Sequence, residues 1–487
     1  MNLLLVTLDQ FRGDCLSSAG HGVVRTPNLD RLASAGVRFD RHYSQAAPCS
    51  PGRACLYTGT YQMNNRVVAN GTPLDDRFDN LARAGRRAGL DPTLFGYTDQ
   101  GIDPRLVSDA GDPRLSSYEG VLPGFTVGLD LTSAQTPWLE WLQQLGYDVP
   151  SGRDQALATE PGRPEQVGVS AFLTDRFLGW LERRERPWFA HLSFLRPHPP
   201  YAAAGRWASE YALDEVDLPI APAPDRHPFH DAVLRLARTA APTEEGALRR
   251  MRTQYYGMIG DVDAQLGRIW DALVRAGQWE DTFVLVTSDH GEQLGDHGLV
   301  QKLGYFEESY RVLGVVRDPQ HRGAHGTVVN AFTENVDFFP TICEALGLEI
   351  PAQCDGLPLT AFLEGRTPPW WRTAASWEFD WRYQSLPGRA FDWPWDRRLE
   401  RDNLAVRRFD DAAYVQFGDG SWRCFDLGAD PTWRTEAHDP GRVLAYAQSM
   451  LAWRAEHADR TFTSFLLENG GVGRGPRTSL GAPGGAG

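Results

Sequence analysis

Cysteine is sparse and nowhere closely paired. The 487-residue chain has six, Cys15, Cys49, Cys55, Cys343, Cys354 and Cys424. No two stand in a Cys-x-x-Cys spacing, which excludes a zinc-finger reading. So few thiols in so long a chain exclude a disulfide scaffold and suit a reducing compartment. No apolar run approaches the ~18 residues that a membrane-spanning helix needs. Met1–Gln10 has no basic segment and too short an apolar run for a secretory signal. It reads as a buried strand, and a cytoplasmic protein is expected. Basic residues are outnumbered, 49 Lys+Arg against 63 Asp+Glu, for a net charge of −14. That balance excludes general affinity for nucleic acid or an anionic membrane and leaves room for a local site that binds a small anion. What is present suits a large folded core: 42% of residues are hydrophobic and 23% charged. The length exceeds the ~100–150 residues of a typical domain, so one large domain and a smaller one are expected.

Short apolar runs end in polar pairs. Leu3–Leu8 is followed by Asp9-Gln10, Phe283–Thr287 by Ser288-Asp289-His290-Gly291-Glu292, and Trp188–Leu195 by Arg196-Pro197-His198-Pro199-Pro200. Arg311–Val316 reads as a fourth strand. In open α/β sheets, sites form beyond the carboxyl ends of strands. Helical patterns lie between these runs: Asn28–Ala35 after a Thr26-Pro27-Asn28 start, and Tyr255–Ala276 with apolar residues three and four apart. The alternation predicts a three-layer α/β fold over residues 1–366. Thr367-Pro368-Pro369 marks a boundary. Beyond it, Ala375–Phe379, Asn403–Phe409, Ala412–Phe417 and Trp422–Leu427 read as a small antiparallel sheet. Asp419-Gly420 is its hairpin turn, and a helix follows over Val443–His457. The second domain is expected over 367–465. The glycine-rich stretch 466–487 is expected to be disordered. Residues 148–168, polar and rich in Pro and Gly, read as a surface loop or a mobile lid. Six tryptophans, Trp370, Trp371, Trp377, Trp381, Trp393 and Trp395, crowd together and form either an inter-domain core or an aromatic rim.

The most specific segment is Cys49-Ser50-Pro51-Gly52-Arg53-Ala54-Cys55-Leu56-Tyr57-Thr58-Gly59. Pro and Gly suit a first helical turn, which would put Cys49 at a helix N-terminus that favours anions, with Arg53 one turn on. Alone, Cys49 reads as a small buried residue. The segment resembles the type I sulfatase signature, Cys-x-Pro-x-Arg followed by Leu and Thr-Gly, in the alkaline phosphatase superfamily. Asp9-Gln10 resembles the family's first metal-ligand pair, and Thr26–Ala33 its first helix. Pro197-His198-Pro199-Pro200 resembles its histidine segment. Ser288–Gly298 with Lys302 resembles its second metal pair and lysine, and Asp337-Phe338-Phe339-Pro340-Thr341 its closing helix. The matches keep a consistent order from residue 3 to about 430.

The resemblance implies an alkaline phosphatase-like fold, a large mixed sheet between helices, and hydrolysis of a phosphate or sulfate ester. Cys49 would be oxidised by a formylglycine-generating enzyme to an aldehyde whose hydrate supplies the nucleophile. Asp9, Gln10, Asp289, His290 and residue 49 would hold one divalent metal. Arg53 would hold the diol and Lys302 a substrate oxygen; His198 and Lys302 are the candidates to protonate the leaving group. His297 either supports the site from behind or is structural. Gly260-Asp261-Val262-Asp263-Ala264-Gln265 could begin a second metal set, but no histidine follows closely, so one metal is expected.

Two departures from ordinary sulfatases refine the expectation. Those use Asp-Asp and Asp-Asn pairs, suited to Ca²⁺; here the pairs are Asp-Gln and Asp-His. An imidazole and one carboxylate fewer favour Mn²⁺, then Fe²⁺ or Zn²⁺, over Ca²⁺. Sulfatases commonly carry Gly-Lys-x-His where this chain has Gly96-Tyr97-Thr98-Asp99. Tyr97, Thr98 and Asp99 are candidate substrate-binding residues, and a carboxylate at 99 disfavours dianions. Asp-Gln, Asp-His and Tyr97, together with Trp377–Arg382, resemble the phosphonate monoester hydrolase/phosphodiesterase branch, whose members are promiscuous towards sulfate esters and tend to be tetramers; Asp99 departs from the threonine usual there. A homo-oligomer, tetramer or dimer, is therefore implied. Two other readings stand beside this one: an aryl- or alkylsulfatase, and a catalytically silent metal-binding protein with unmodified Cys49.

Overall fold

A computed structural model describes residues 1–382 except 118, 133 and 150–151, residues 401–458, and the backbone of Leu466–Glu468 and Gly471–Arg474. The strands of the main sheet are β1 (Asn2–Leu8), β2 (Val37–Tyr43), β3 (Pro92–Gly96), β4 (Thr126–Asp130), β5 (Phe189–Phe194), β6 (Thr282–Thr287), β7 (Gly314–Arg317) and β8 (Thr327–Glu334), in the order β4-β3-β5-β1-β6-β7-β2-β8. Only β7 runs against its neighbours. The carboxyl ends of β3, β5, β1, β6 and β2 therefore open on one edge, where residues distant in sequence meet.

The alternation of β1 explains the three layers. Leu4, Val6 and Leu8 enter one core with α1 (Pro27–Ser34), α3 (Val169–Leu181) and α4 (Glu245–Arg275). Leu3 and Leu5 enter the other with α2 (Cys49–Thr58) and α5 (Phe338–Ala345). Successive side chains of a strand point to opposite faces, so a continuous apolar run marks a strand covered on both. Two expected elements shift. Arg311 and Val312 bridge Tyr43 and Arg12 singly, so β7 begins only at Gly314. Helix α4 begins ten residues before the apolar periodicity, capped by the Glu244 carboxylate on the Gly246 and Ala247 N–H groups.

The small sheet has the expected strands, β9 (Ala375–Asp380), β10 (Asn403–Arg408), β11 (Ala412–Phe417) and β12 (Trp422–Asp426), in the order β12-β11-β10-β9. Helix α6 (Pro440–Glu456) packs on it. Trp377 joins this sheet to the main one, stacked between Tyr43 and Tyr310 at 5.6 and 5.0 Å. Trp381 packs on Phe229, Trp371 is half-buried and Trp370 is exposed. Trp393 and Trp395 lie outside the described residues, as does most of 466–487 apart from the paired segments Leu466–Glu468 and Gly471–Arg474. Residues 152–168 are docked on the fold, with Ala156, Leu157 and Glu160 buried. All six cysteines are free, and among the described residues no helix is long and apolar enough to cross a membrane.

His42 ends β2 inside the core, hydrogen-bonded through Nδ1 to Thr333 Oγ1 at 3.0 Å and through Nε2 to Asn335 Oδ1 at 2.9 Å. Burial lowers its pKa to about 3. The unfolded chain takes up this proton near pH 6.5 and the folded chain only near pH 3, so stability falls as pH drops through that window. One such proton costs about 2 kcal/mol by pH 5. His42→Gln should flatten the pH dependence of urea unfolding between pH 7 and 5 by that amount. An unchanged slope would show that His42 is not buried neutral.

Candidate active site

Each strand end delivers one part of the site. Asp9 and Gln10 follow β1, Tyr97–Asp99 follow β3, His198 follows β5, and Asp289-His290 follow β6. The segment after β2 leads to Cys49, the first residue of α2. Helix α2 is buried along its whole length and presses end-on against the Asp289 backbone. A Cβ at Gly52 would stand 2.4 Å from the Asp289 carbonyl oxygen, so only glycine allows this approach. Gly96 has the same role as the last residue of β3, where with φ +117° it packs against the Ser193 carbonyl.

The ligating atoms of Asp9, Cys49, Asp289 and His290 all lie within 4.8 Å of one another. Cys49 Sγ is 3.2 Å from His290 Nε2 and 4.0 Å from Asp9 Oδ1. His290 Nδ1 is 3.0 Å from the Gly291 carbonyl and donates to it, which leaves the Nε2 lone pair facing the cluster. Burial keeps this imidazole neutral by lowering its pKa. Two carboxylates, a neutral imidazole and a sulfur suit one divalent cation. Gln10, with φ 67°, brings its amide alongside. Oε1 accepts from Lys302 Nζ at 2.7 Å, and Nε2 donates to the Glu292 carboxylate. The second lone pair of Oε1 remains for a metal.

Arg53 is the buried cation between the carboxylates. Its Nε donates to Asp289 Oδ2 at 3.0 Å, and Nη2 to Asp9 Oδ2 at 3.2 Å. Nη1 reaches Ser193 Oγ at 2.8 Å and the Tyr97 carbonyl at 3.2 Å. The guanidinium lies 4.5 Å from the centre of the Tyr97 ring, and the Tyr97 hydroxyl donates to Asp9 Oδ2 at 2.5 Å. Burial opposes ionisation of Asp9, but His198, Arg53, His290 and Lys302 outweigh it and hold the carboxyl below its usual range. Asp99 sits 3.5 Å from Arg53 Nε, and burial pushes its carboxyl well above the usual range. Burial, with Asp9 next, likewise pushes the Cys49 thiol up.

His198 Nδ1 donates to the Pro199 carbonyl at 2.7 Å, and its Nε2 accepts from Lys302 Nζ at 3.2 Å. Burial and then Lys302 bring the His198 pKa down to about 3. Burial opposes the Lys302 charge, but Cys49, Asp9 and Asp289 raise its pKa beyond the ordinary value. The pair therefore shares one proton that rests on Lys302.

Three sequence candidates face elsewhere. The Thr98 hydroxyl donates to the Gly120 carbonyl and accepts from the Leu122 N–H, both at 2.8 Å, and so fixes a loop. His297 stacks on Phe306 at 3.6 Å, with Glu308 3.4 Å from its Nε2. Asp263 receives the Asn28 and Leu29 N–H groups at the start of α1. Other residues at the site were given no role by the sequence. Glu292 orients Gln10, the Tyr255 hydroxyl donates to the Gln10 carbonyl at 2.7 Å, and Asn70 Oδ1 accepts from the Ser50 N–H at 3.0 Å. Glu292 stands inside the Asp-His-Gly-Glu run and was the one open to detection.

Known proteins carry the same organisation. The sulfatase family model matches residues 1–348, and that of the C-terminal part of N-sulphoglucosamine sulphohydrolase matches 295–439. The multifunctional alkaline phosphatase superfamily protein PehA of Trinickia caryophylli is 37% identical, over 95% of this chain and 97% of that one. The phosphonate monoester hydrolase of Agrobacterium radiobacter is 41% identical and superposes with a TM-score of 0.89, covering 98% of this chain and 100% of that one. The phosphonate monoester hydrolase from Silicibacter pomeroyi is 33% identical with a TM-score of 0.89, covering 98% and 99%. An arylsulfatase of Clostridium perfringens is 29% identical over 76% of this chain and 79% of that one. The ordered motifs, the mixed sheet and these matches agree: the chain belongs to the sulfatase family of the alkaline phosphatase superfamily and is a hydrolase acting on ester bonds.

Proposed function

We propose that this chain cleaves phosphonate monoesters and phosphate diesters, with sulfate esters as secondary substrates. Cys49 is oxidised to formylglycine, and one divalent cation, Mn²⁺ first, is held by Asp9, Gln10, Asp289, His290 and residue 49. The observation that carries this reading is Cys49 Sγ lying 3.2 Å from His290 Nε2, within the carboxylate cluster and one helical turn from Arg53. The unmodified thiol is a poor nucleophile there, because burial and then Asp9 disfavour its thiolate. When present, the cation supplies Lewis acidity to an ester oxygen, and formylglycine supplies a hydrated aldehyde in place of the thiol.

The chain's own residues do the rest. Arg53 donates to Asp9 and Asp289, which lie on both sides of it, and so sets a positive charge between two buried carboxylates. Lys302 is placed to give a proton to the departing oxygen, and neutral His198 to take one. Tyr97 and Asp99 stand where sulfate-selective relatives carry cationic arms. Asp99 stands 3.5 Å from Arg53 Nε, and neither Tyr97 nor Asp99 adds the positive charge that favours a dianion. Phosphate diesters, phosphonate monoesters and sulfate monoesters are all monoanions, so the missing charge argues against phosphate monoesters and does not choose among these three. The names of the two structural neighbours at 41% and 33% identity favour phosphonate monoesters among them. The resemblance also supports a homo-oligomer matured by a formylglycine-generating enzyme, and the sparse, unpaired cysteines suit a cytoplasmic location.

Tryptic mass spectrometry of active protein should find the Cys49 peptide about 18 Da lighter than its thiol form. Cys49→Ala should lose about 10³-fold or more in kcat. A full-strength enzyme with an unshifted peptide would refute the formylglycine role. Chelation should abolish turnover, with Mn²⁺ restoring more than Ca²⁺; the reverse order would overturn the metal ranking. Turnover of phenyl phosphonate and diester substrates should exceed that of an aryl sulfate in kcat/KM, and a large preference for the sulfate would make this an arylsulfatase. Arg53→Ala should cost about 3–5 kcal/mol of stability in denaturant titration, as expected when a buried ion pair loses one partner. A neutral result would remove Arg53 from its charge-balancing role.

A further inference from the structure

The loop that carries His198 is built around a single guanidinium. Arg196 stands two residues beyond the end of β5 and is 1% exposed. Its Nη1 donates to the carbonyls of His198 and Pro200, both at 2.8 Å. Nη2 donates to the Ala202 carbonyl at 3.1 Å and the Leu157 carbonyl at 3.4 Å. Nε and Nη2 both reach Glu160 Oε2, the former at 3.1 Å. Three carbonyls at alternate positions, 198, 200 and 202, thus converge on one cation. A neutral or monodentate side chain could not satisfy them.

Glu160 is 1% exposed and has a second attachment. Its Oε1 accepts the Val169 N–H at 2.8 Å, at the start of α3, where the helix end favours a negative charge. Helix α3 is held rigidly against the main sheet through Val169, Phe172, Leu173, Phe177 and Leu181. A continuous path therefore runs from a packed helix through the Glu160 carboxylate and the Arg196 guanidinium to the backbone of His198. From there the imidazole reaches Lys302 Nζ at 3.2 Å. Neither Glu160 nor Arg196 lies in the metal cluster.

We infer that Arg196 and Glu160 are positioning residues, which hold the His198 loop in the register that keeps its Nε2 on Lys302. This rests on the proton-transfer role proposed above for the His198–Lys302 pair. Residues 152–168 thereby serve the site from a distance, by bringing Glu160 under the histidine loop.

The test is a double-mutant cycle between Arg196→Lys and His198→Ala, with Glu160→Gln as a milder second variant, on the metal-loaded enzyme. Metal content and thermal unfolding are checked for each variant. Lysine keeps the charge but cannot span the carbonyls. Arg196→Lys should lower kcat by about 10²-fold with little change in KM, the size expected for misplacing a group by about 1 Å. Glu160→Gln leaves one acceptor oxygen, so it can serve the Arg196 guanidinium or the Val169 N–H but not both, and should lose part of that kcat. In the His198→Ala background, Arg196→Lys should cost almost nothing further, because both act through the same imidazole. Equal factors in both backgrounds, or Arg196→Lys and Glu160→Gln both at parental kcat, would overturn the positioning role and leave the site reading intact. An unchanged kcat in His198→Ala alone would instead bring down the proton-transfer role, and this inference with it. Should Arg196→Lys fail to fold, the same cycle with Glu160→Gln decides the matter by the same criteria.

Discussion

Two buried carboxylates on either side of one buried guanidinium are the constraint on which the site depends. Asp9 and Asp289 follow neighbouring strands, and burying two carboxylates so close together is costly unless a cation lies between them. Arg53 resolves this with Nε on one and Nη2 on the other. The same side chain reaches Ser193 and the Tyr97 backbone, so it ties together the ends of β1, β3, β5 and β6. Because Arg53 sits one turn along α2, fixing it also fixes Cys49 beside His290. One residue thus contributes to both charge balance and geometry.

The sheet order makes this convergence possible. β3, β5, β1 and β6 are parallel and adjacent, so residues 97, 198, 9 and 289 emerge side by side although the sequence separates them widely. The helix that presents Cys49 can approach only because Gly52 has no side chain. Fold and chemistry are thus coupled through close backbone approach as well as through the ligands.

Much of this was legible in the sequence, for physical reasons. Runs such as Leu3–Leu8 and Phe283–Thr287 are apolar at nearly every position because both faces of their strands are covered, and polar pairs at their ends mark the site edge. The hairpin at Asp419-Gly420 was visible from its turn chemistry. Less legible were β2, β3, β4 and β8, whose polar or mixed residues lie near the sheet margins or pair through irregular register. The first turns of α4 were hidden because Glu245–Arg250 hold one large apolar residue, Leu248, and none of them is fully buried. Within the site, ligand types could be read from Asp-Gln and Asp-His. Of the partners that orient them, only Glu292 stood inside a legible run; Tyr255 acts through a contact between distant segments, and Thr98 serves the 120–122 loop. Arg196 escaped notice because its partners are mostly backbone carbonyls, which leave no trace in sequence.

The central claim is that five side chains from three separate segments hold one cation. Diffraction from crystals of the purified enzyme, with anomalous data collected on both sides of the metal absorption edge, tests it most directly. A single anomalous peak about 2.0–2.5 Å from oxygen or nitrogen atoms of Asp9, Gln10, Asp289 and His290, with residue 49 also within reach, is the predicted result. A peak that excludes residue 49, or a metal bound elsewhere with these four side chains paired only to one another, would contradict it.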